Sequence, residues 1–290
     1  MYEKYGQFID GKWQKSASGQ TYDVINPATE EVIGKASKAN SEDIQNALKS
    51  AEKGLEIWKN TAPWQRAYTI RKIADLIRNA ALSFDGVEPL ECDCKWIDFE
   101  AGWIKNEMWK APGFRKIHLE TSEVKGLDVL HCVFFPDYNY NIPIFGCDIV
   151  ATKTVITAAI VDISPVRGSE KIYEQIAPIS NAYLFKEKRV LPLWGDDIFS
   201  PHFKFVRIRD EEEVGEYIRI LEGYLNTLCD WVKSVEKEDN YVDAMLRMDD
   251  QVWYSTQQRK NKKTIAALSS WFDKEWAIDY IHNILFDLPK

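Results

Sequence analysis

The chain has 290 residues, enough for about two domains. Its hydrophobic content of 45% is ordinary, and a net charge of −8 without a large basic block argues against nucleic-acid binding. No apolar run approaches the roughly 20 residues that span a bilayer, and the opening MYEKYGQFIDGKW lacks a secretory signal pattern, so neither a membrane protein nor a secreted one is expected.

The first predicted elements are two hairpins and two helices within residues 1–82. Asp10-Gly11 is a turn signal between apolar flanks, and residues 22–34 form a second strand pair that is interrupted at Asn26-Pro27. Ser41 is a good N-cap for the first helix, and the second helix follows Pro63. The apolar residues that recur at helical spacing are Ile44, Ala47, Leu48, Ala51, Leu55 and Trp58 in the first helix, and Ala67, Ile70, Ile73, Ile77 and Ala81 in the second.

This first region resembles the N-terminus of the aldehyde dehydrogenases. The matching segments are FIDGKW, YDVINPATEEVIG and IRKIADLIR. The family's nucleotide-binding loop, its catalytic-cysteine segment and its general-base glutamate segment have no counterpart. A hydride-transfer enzyme needs a dinucleotide site and a nucleophile, so aldehyde oxidation is not expected. For residues 1–82 we therefore expect a non-catalytic piece fused to a second domain. A docking appendage, a dehydrogenase subunit fragment, a truncated relic and a misjoined gene model stay open as alternatives.

Cys92 and Cys94 form a C-x-C pair just after this region. The chain has five cysteines, an odd number without a disulfide-framework spacing, which indicates reduced thiols and a cytoplasmic location. No second Cys or His pair lies at zinc spacing, so we expect no metal site and interpret the pair as two ordinary strand residues.

Residues 86–290 are predicted to be strands followed by helices, which favours an α+β fold with helices covering a mainly antiparallel sheet. Along residues 114–120, Lys116, His118 and Glu120 alternate with Arg115, Ile117 and Leu119, and the two sets are predicted on opposite faces. The predicted strands are 103–109, 114–120, 128–135, 144–150, 155–163 and 203–209. The predicted helices are 211–238, 242–259, 263–272 and 274–286.

This second region resembles the ferredoxin-dependent bilin reductases, most of all those that make phycocyanobilin. The matching segments, which keep the family's order, are FRKIHLE, LDVLHCVFFP, FGCDIVA, AAIVDISP, LPLWGDDIFSP, KNKKT and ILFDLP. The resemblance implies a three-layer α/β/α sandwich around an antiparallel sheet. It also implies a cytoplasmic, monomeric oxidoreductase of phycobilin biosynthesis, which reduces biliverdin IXα by a radical mechanism. Electrons come singly from a reduced [2Fe-2S] ferredoxin, the protein supplies the protons, and it binds no flavin, metal or haem of its own.

The resemblance also assigns the proton donors. Asp148 matches the aspartate beside the pyrrole nitrogens, and His131 matches the histidine that hydrogen-bonds the bilin lactam. Glu120 matches a glutamate near the D-ring vinyl group, and His118 matches a histidine linked to that glutamate. A carboxyl whose pKa is raised by burial can hold a proton near neutral pH and donate it, which is the chemistry that reduction of a buried tetrapyrrole requires.

Four further residues match family positions that contact the substrate. Arg189 and Lys263 are expected to hold the propionates, Thr157 to contact one of them, and Asn261 to face the bilin. Lys262 departs from the family pattern, which has an acidic residue there, and it either changes the charge at the pocket entrance or faces water. Because ferredoxins are acidic, a basic docking patch is also expected. Its candidate residues are Arg189, Lys204, Arg207, Arg259, Lys260, Lys262 and Lys263.

The predicted function is therefore reduction of biliverdin to phycocyanobilin, with Glu120 favouring this product. Two alternatives stay open. The first keeps the fold and the substrate but makes phycoerythrobilin. The second is a non-catalytic protein that binds or delivers bilins.

Overall fold

The computed structural model describes residues 6–59, 63–152 and 155–290, apart from the side chains of residues 54–59 and 63–68. The chain divides into two compact units, residues 1–65 and 66–290. This boundary lies inside the second predicted helix, whereas the predicted domains were 1–82 and 86–290. No helix in the described part of the chain is long and apolar enough to cross a membrane.

The N-terminal unit contains both predicted hairpins and the first predicted helix. Asp10 and Gly11 form the first turn with φ values of 54° and 73°, the left-handed conformation that a tight two-residue hairpin turn requires. The second turn follows Ile25. The elements are β1 (Gln7–Ile9), β2 (Lys12–Gln14), β3 (Thr21–Ile25), β4 (Val32–Ser37) and α1 (Ser41–Lys59).

Asp43 is the centre of the hydrogen-bonding in this unit. Asn40, rather than the predicted Ser41, caps α1, because its Oδ1 accepts from the Asp43 amide at 2.9 Å while Asp43 accepts from the Asn40 amide at 2.9 Å. The Asp43 carboxylate also accepts from the Ala17 amide at 2.9 Å and the Ser16 hydroxyl at 2.7 Å. These donors, the Ala17 amide first, lower the pKa of Asp43 to about 2.

The apolar side chains of the N-terminal unit are largely exposed. Among its described side chains only Ser16 and Asp43 are buried, and both are polar. On α1, Ile44 and Leu48 of the predicted apolar face are 54% and 52% exposed. Leu55 and Trp58 of that face lie outside the described side chains. The other large exposed apolar residues of this unit are Phe8, Trp13, Tyr22, Ile25, Val32 and Ile33.

The second unit is built on one antiparallel sheet, as predicted. In the described residues its order is β12-β13-β11-β10-β9-β8-β7-β5, and β6 also pairs with β7. Every one of these pairs is antiparallel. The strands are β5 (Glu88–Pro89), β6 (Trp96–Phe99), β7 (Gly102–Ala111), β8 (Phe114–Val124), β9 (Leu127–Pro136), β10 (Ile144–Thr152), β11 (Ile156–Ser164), β12 (Glu187–Lys188) and β13 (Lys204–Ile208).

The helices of this unit match the predicted ones, with one addition. Helix α3 was not predicted, since it is short and contains Pro178, which removes a helical hydrogen-bond donor. The last predicted helix, 274–286, ends as an α-helix at Tyr280 and continues as a π-helical turn over Ile281–Leu285. The helices are α2 (Pro63–Leu82), α3 (Tyr173–Asn181), α4 (Glu211–Ser234), α5 (Tyr241–Gln258), α6 (Lys262–Trp271) and α7 (Lys274–Tyr280).

Helices cover both faces of the sheet, which confirms the three-layer α/β/α sandwich. On the face that we call the back, Ile117, Leu119 and Phe134 belong to one apolar core with residues of α2, α3 and α4. On the opposite, front face, Val133 and Phe135 belong to a second core with residues of α5, α6 and α7. Side chains alternate between the faces along each strand, so polar residues on the front-face positions lie in the layer beneath α5–α7.

The part of α2 that belongs to the second unit is integral to the back-face core. Ile70, Ile73, Ile77 and Ala81 are buried there. On the same helix, Arg78 forms a bidentate pair with Glu107 of β7, with Nε–Oε1 at 3.0 Å and Nη2–Oε2 at 2.6 Å. This helix therefore supplies one of the layers that support the sheet.

Candidate functional site

Four polar side chains lie in one row across the front face of the sheet. Asn106 on β7 is directly opposite Glu120 on β8, Glu120 is opposite His131 on β9, and His131 is opposite Asp148 on β10. Side chains at directly opposed positions point to the same face with Cβ atoms about 5 Å apart. The register alone therefore brings the predicted residues Glu120, His131 and Asp148 together, although they are distant in sequence.

His131 and Asp148 form the tightest contact of the row. His131 Nδ1 lies 2.5 Å from Asp148 Oδ1, with the histidine buried and the Asp148 side chain 46% exposed. Burial lowers the pKa of His131, but the Asp148 carboxylate outweighs it, and the pKa is raised above its usual value. His131 Nε2 is buried and has no hydrogen-bond partner among the described residues. A proton is therefore held between His131 Nδ1 and Asp148 Oδ1, while the other ring nitrogen, Nε2, can meet a ligand.

Glu120 is the most enclosed carboxyl of the row. Burial is the main cause that raises its pKa above the usual value, and the nearby Asp148 charge adds to it. His131 and a hydrogen-bonding contact with Tyr280, whose Oη lies 2.7 Å from Glu120 Oε2, act in the opposite direction. A carboxyl of this kind can keep its proton at a pH where an exposed glutamate has lost it.

His118 lies two residues before Glu120 on the same face of β8. Its Nε2 contacts Asn106 Oδ1 at 2.7 Å, and its ring packs edge-on against His131 with the ring centroids 5.7 Å apart. Complete burial, followed by the charges of Lys116 and His131, lowers the pKa of His118 well below its usual value. His118 is therefore neutral in this environment, and it is connected to Glu120 through Asn106 and Tyr280 rather than directly.

The C-terminal segment covers one side of the row. Phe286 packs edge-on against His131 with the ring centroids 5.4 Å apart, and Asp287 pairs with both Arg115 and Lys116. Arg115 was predicted on the back face, and this prediction is wrong. A β-bulge sets Arg115 and Lys116 opposite the single residue Phe135, so both cations lie over the Phe135 ring on the front face.

The four predicted substrate-contacting residues fall into two groups. Arg189 donates to the Thr157 backbone carbonyl, and the Thr157 hydroxyl donates to the Val150 carbonyl at 2.9 Å, so these two residues lie together. Asn261 instead caps α6, where its Oδ1 accepts from the Lys263 amide at 3.2 Å. Lys263 is exposed and forms no ion pair with any described residue. In the part of the chain that the structure describes, no hydrogen bond or ion pair joins one group to the other.

The basic residues predicted for ferredoxin docking are likewise divided. Lys204 and Arg207 lie on β13, next to the edge strand β12, and Arg207 is 3.8 Å from Glu187 of β12. Arg259, Lys260, Lys262 and Lys263 surround the junction of α5 and α6.

Sequence reasoning missed three residues of the site, Asn106, Tyr280 and Asp287. Asp287 belongs to the quoted ILFDLP segment, which offered a signal. Asn106 interrupts the apolar alternation of Ile104 and Met108, a weaker signal, and nothing in the sequence around Tyr280 singles it out.

The C-x-C pair lies in a turn before β6 rather than in a strand, with the two Sγ atoms 2.6 Å apart. Within residues 6–59, 63–152 and 155–290, no group of three or more His, Cys, Asp or Glu side chains is arranged to hold a metal ion. The Cys94 carbonyl accepts a hydrogen bond from Asn106 Nδ2 at 2.8 Å, so this turn adjoins the end of the polar row.

Comparison with known families identifies the second unit. The family model of the ferredoxin-dependent bilin reductases matches residues 78–287, well over half of the chain. The chain belongs to this family. It is therefore a ferredoxin-dependent bilin reductase, an oxidoreductase, as the motifs predicted.

Individual relatives agree with this assignment. The phycocyanobilin:ferredoxin oxidoreductase of Prochlorococcus marinus is 40% identical over 230 residues, which cover 76% of this chain and 92% of that protein. The protein of the same name from Gloeobacter violaceus is 38% identical over 192 residues, or 64% of this chain and 75% of that protein. A crystal structure of tomato phytochromobilin synthase in complex with biliverdin has the same fold, with a TM-score of 0.63, 16% identity and coverage of 75% of this bilin reductase and 81% of that chain.

The aldehyde dehydrogenase family model matches residues 13–105, which confirms the second predicted resemblance. This match extends past the predicted end at residue 82 and overlaps the start of the bilin reductase match. The shared stretch, residues 78–105, includes the end of α2, all of β5 and β6, and the start of β7.

Proposed function

We propose that this bilin reductase converts biliverdin IXα to phycocyanobilin with electrons from a reduced [2Fe-2S] ferredoxin, and that Asp148, His131 and Glu120 supply protons during the reaction. The bilin is the redox-active group, and the protein contributes its position and the protons. The names of the relatives support this substrate and product, and the geometry of the polar row supports the assigned roles.

The observation that carries the proposal is the arrangement of His131. Its Nδ1 is held by Asp148, while its buried Nε2 has no partner in the described part of the chain. A buried nitrogen of this kind costs about 1–3 kcal/mol unless a ligand meets it. The lactam of a bilin offers a carbonyl and an N–H, either of which can pair with an imidazole nitrogen. The half-exposed Asp148 carboxylate adjoins the same position and is accessible to a bound pyrrole N–H.

The row also separates two proton-donating groups. Glu120 and Asp148 lie two strands apart, or roughly 10 Å at the usual strand spacing. A tetrapyrrole lying along the row therefore meets Asp148 and His131 near its nitrogens and Glu120 near a peripheral group. Each added electron would otherwise leave uncompensated charge on a buried bilin, so a proton source at each position lowers the cost of that step.

Glu120 is the reason for proposing phycocyanobilin rather than phycoerythrobilin. Reduction of the D-ring vinyl group takes up two electrons and two protons, and it requires a donor beside that group. We assign this role to the buried Glu120, with His118 as its neighbour in the hydrogen-bonded network. Arg189 and Lys263 are proposed to hold the propionates, Thr157 to contact one of them, and Asn261 to face the bilin.

An anaerobic turnover assay tests the function. The full chain is incubated with biliverdin IXα, reduced [2Fe-2S] ferredoxin and a system that regenerates the reduced ferredoxin, and the products are separated by chromatography. Phycocyanobilin is expected. A phycoerythrobilin product would overturn the assignment made from Glu120. Binding of biliverdin without consumption would support the bilin-binding alternative and overturn the catalytic one.

The variant Asp148→Asn tests the proton donors. We expect turnover to fall by at least about 100-fold while biliverdin binding, followed by its visible absorption, is retained, since general acid–base groups contribute about 10²–10⁴-fold. Asp239→Asn is a matched control, because Asp239 is an exposed aspartate outside the row. Equal turnover in both variants would show that Asp148 takes no part in proton transfer.

A further inference from the structure

Asn106 has a fixed orientation within the network. Its Nδ2 donates to the Cys94 carbonyl at 2.8 Å, so its Oδ1 points in the other direction. Two groups contact this oxygen, His118 Nε2 at 2.7 Å and Tyr280 Oη at 2.9 Å. A carbonyl oxygen only accepts hydrogen bonds, so each neighbour must direct a proton at Asn106 to form one.

The single hydroxyl proton of Tyr280 links the protonation state of Glu120 to Asn106. Tyr280 has a single hydroxyl proton, yet its Oη lies within hydrogen-bonding distance of both Asn106 Oδ1 and Glu120 Oε2. If Tyr280 donates to Asn106, its oxygen can only accept from Glu120, and the carboxyl must then carry the proton. If Glu120 is ionised, Tyr280 donates to the carboxylate, and two acceptors, Asn106 Oδ1 and Tyr280 Oη, face each other at 2.9 Å without a proton between them.

The position of the Tyr280 hydroxyl is fixed by packing. The Tyr280 ring stacks on Trp276 with a centroid distance of 4.8 Å and an interplanar angle of 12°. Trp276 stacks in turn on Phe272 at 3.9 Å, and Phe272 contacts Phe99 of β6 at 4.5 Å. The Tyr280 ring is 3% exposed, so this aromatic column places the hydroxyl between Glu120 and Asn106 with little freedom to turn away.

We propose that Tyr280 and Asn106 are positioning residues that hold Glu120 in its protonated, proton-donating form, through the chain Glu120 Oε2–H to Tyr280 Oη and Tyr280 Oη–H to Asn106 Oδ1. The inference rests on the proposed function only in that the proton kept on Glu120 is the one used in reduction. Asn106 acts on Glu120 solely through Tyr280, and His118 supplies the second donor to Asn106. Burial raises the pKa of Glu120, and a Tyr280 hydroxyl that donates to the carboxylate acts against burial. A hydroxyl proton committed to Asn106 cannot donate to Glu120, so the chain preserves the effect of burial.

The test is a titration of Glu120 in the full chain without bilin or ferredoxin. Infrared spectra of protein labelled with ¹³C-glutamate are recorded as a function of pH, and the spectrum of Glu120→Gln is subtracted to isolate the Glu120 carboxyl band. Asn106→Leu removes the acceptor for the Tyr280 proton and frees that proton for an ionised Glu120. We expect the pKa of Glu120 to fall by about one unit, a tenfold change in the ratio of protonated to ionised carboxyl.

A double variant makes the test specific. In the Tyr280→Phe background, Asn106→Leu should leave the Glu120 titration unchanged, because the connecting hydroxyl is absent. A rise in pKa or no change in the single Asn106→Leu variant would overturn the proposal, as would a fall that persists without the Tyr280 hydroxyl. Asn106→Ala replaces Asn106→Leu if the larger side chain prevents folding. Asn181→Leu, at an exposed position in the same unit, is the control and should leave the band unchanged.

Turnover provides an independent readout. The pH at which turnover falls on the alkaline side should move down in Asn106→Leu together with the carboxyl titration. If the parent protein fails to reduce biliverdin, the proposed function is wrong, but the titration still decides the role of Asn106 and Tyr280. If turnover is normal and the titration does not respond to Asn106→Leu, only the positioning role is wrong.

Discussion

The two units of this chain shift the pKa of a buried carboxyl in opposite directions. In the N-terminal unit, Asp43 accepts hydrogen bonds from two backbone amides, the Ser16 hydroxyl and the Gln7 side-chain amide, and its pKa is lowered to about 2. In the second unit, Glu120 meets a single hydroxyl, and burial raises its pKa. Desolvation acts on both groups, so the number of donors decides whether a buried carboxyl stays ionised or keeps its proton.

This difference separates a structural carboxylate from a reactive one. Asp43 links β1, the turn after β2 and the start of α1, and both of its carboxylate oxygens accept hydrogen bonds from these segments. Glu120 has too few hydrogen-bond donors around it to stabilise a negative charge, which a purely structural carboxylate would need. It also lies in a row with His131 and Asp148. A buried carboxyl with few donors is therefore the better indicator of proton chemistry.

The units also differ in how much apolar surface they bury. Truncation of the chain at two points tests this difference. Removal of residues 1–65 leaves the second unit complete, whereas removal of residues 1–82 also deletes Ile70, Ile73 and Ile77 from the back-face core. Each buried isoleucine contributes about 1.5–3 kcal/mol. We expect the shorter protein, 83–290, to lose about 4.5–9 kcal/mol of stability relative to 66–290, which is comparable to the whole stability of a typical domain.

Thermal unfolding followed by circular dichroism compares the two truncated proteins. Protein 66–290 should unfold in one cooperative transition, and protein 83–290 should lack that transition or aggregate. Equal melting temperatures would mean that α2 is not part of the reductase core. The same comparison tests the predicted domain boundary, since a division at residue 82 would leave 83–290 intact.

Much of the fold and of the site was predictable because their signals are local. The alternation of Lys116, His118 and Glu120 along one strand gave their common face, and the quoted motifs indicated His131 and Asp148. Arg115 was misplaced because a β-bulge depends on the partner strand and leaves no periodic signal. Asn106 and Tyr280 meet Glu120 only through strand register and the docking of α7, contacts that span as many as 174 residues of sequence.

Packing between α3 and α4 is tight enough that adding one methyl group should lower the stability of the second unit. On α4, a Cβ added to Gly223 would lie 2.8 Å from Ile179 Cγ2 of α3, whereas a Cβ added to Gly215 of the same helix would meet nothing within 4 Å. Gly223→Ala is therefore expected to destabilise the unit by about 1–3 kcal/mol. Gly215→Ala should stabilise it by about 0.5–1 kcal/mol through helix propensity. Chemical denaturation of 66–290 measures both, and a stabilising Gly223→Ala would contradict close packing of α3 on α4.

The contrast between Asp43 and Glu120 predicts pH dependences of opposite sign. The folded-state pKa of Asp43 is about 2 against an ordinary value of 3.8, so its stabilising effect is present above about pH 4 and disappears as the pH falls towards 2. The folded-state pKa of Glu120 is raised above 4.5, so the folded state is penalised increasingly as the pH rises from 4.5 through that raised pKa. The advantage of the parent protein over Asp43→Asn should therefore grow with pH, while its advantage over Glu120→Gln should shrink. Melting temperatures of the three proteins from acidic to neutral pH give both slopes. Two slopes of the same sign would show that Glu120, like Asp43, is held ionised in the folded protein, and its role as a proton donor would then be untenable.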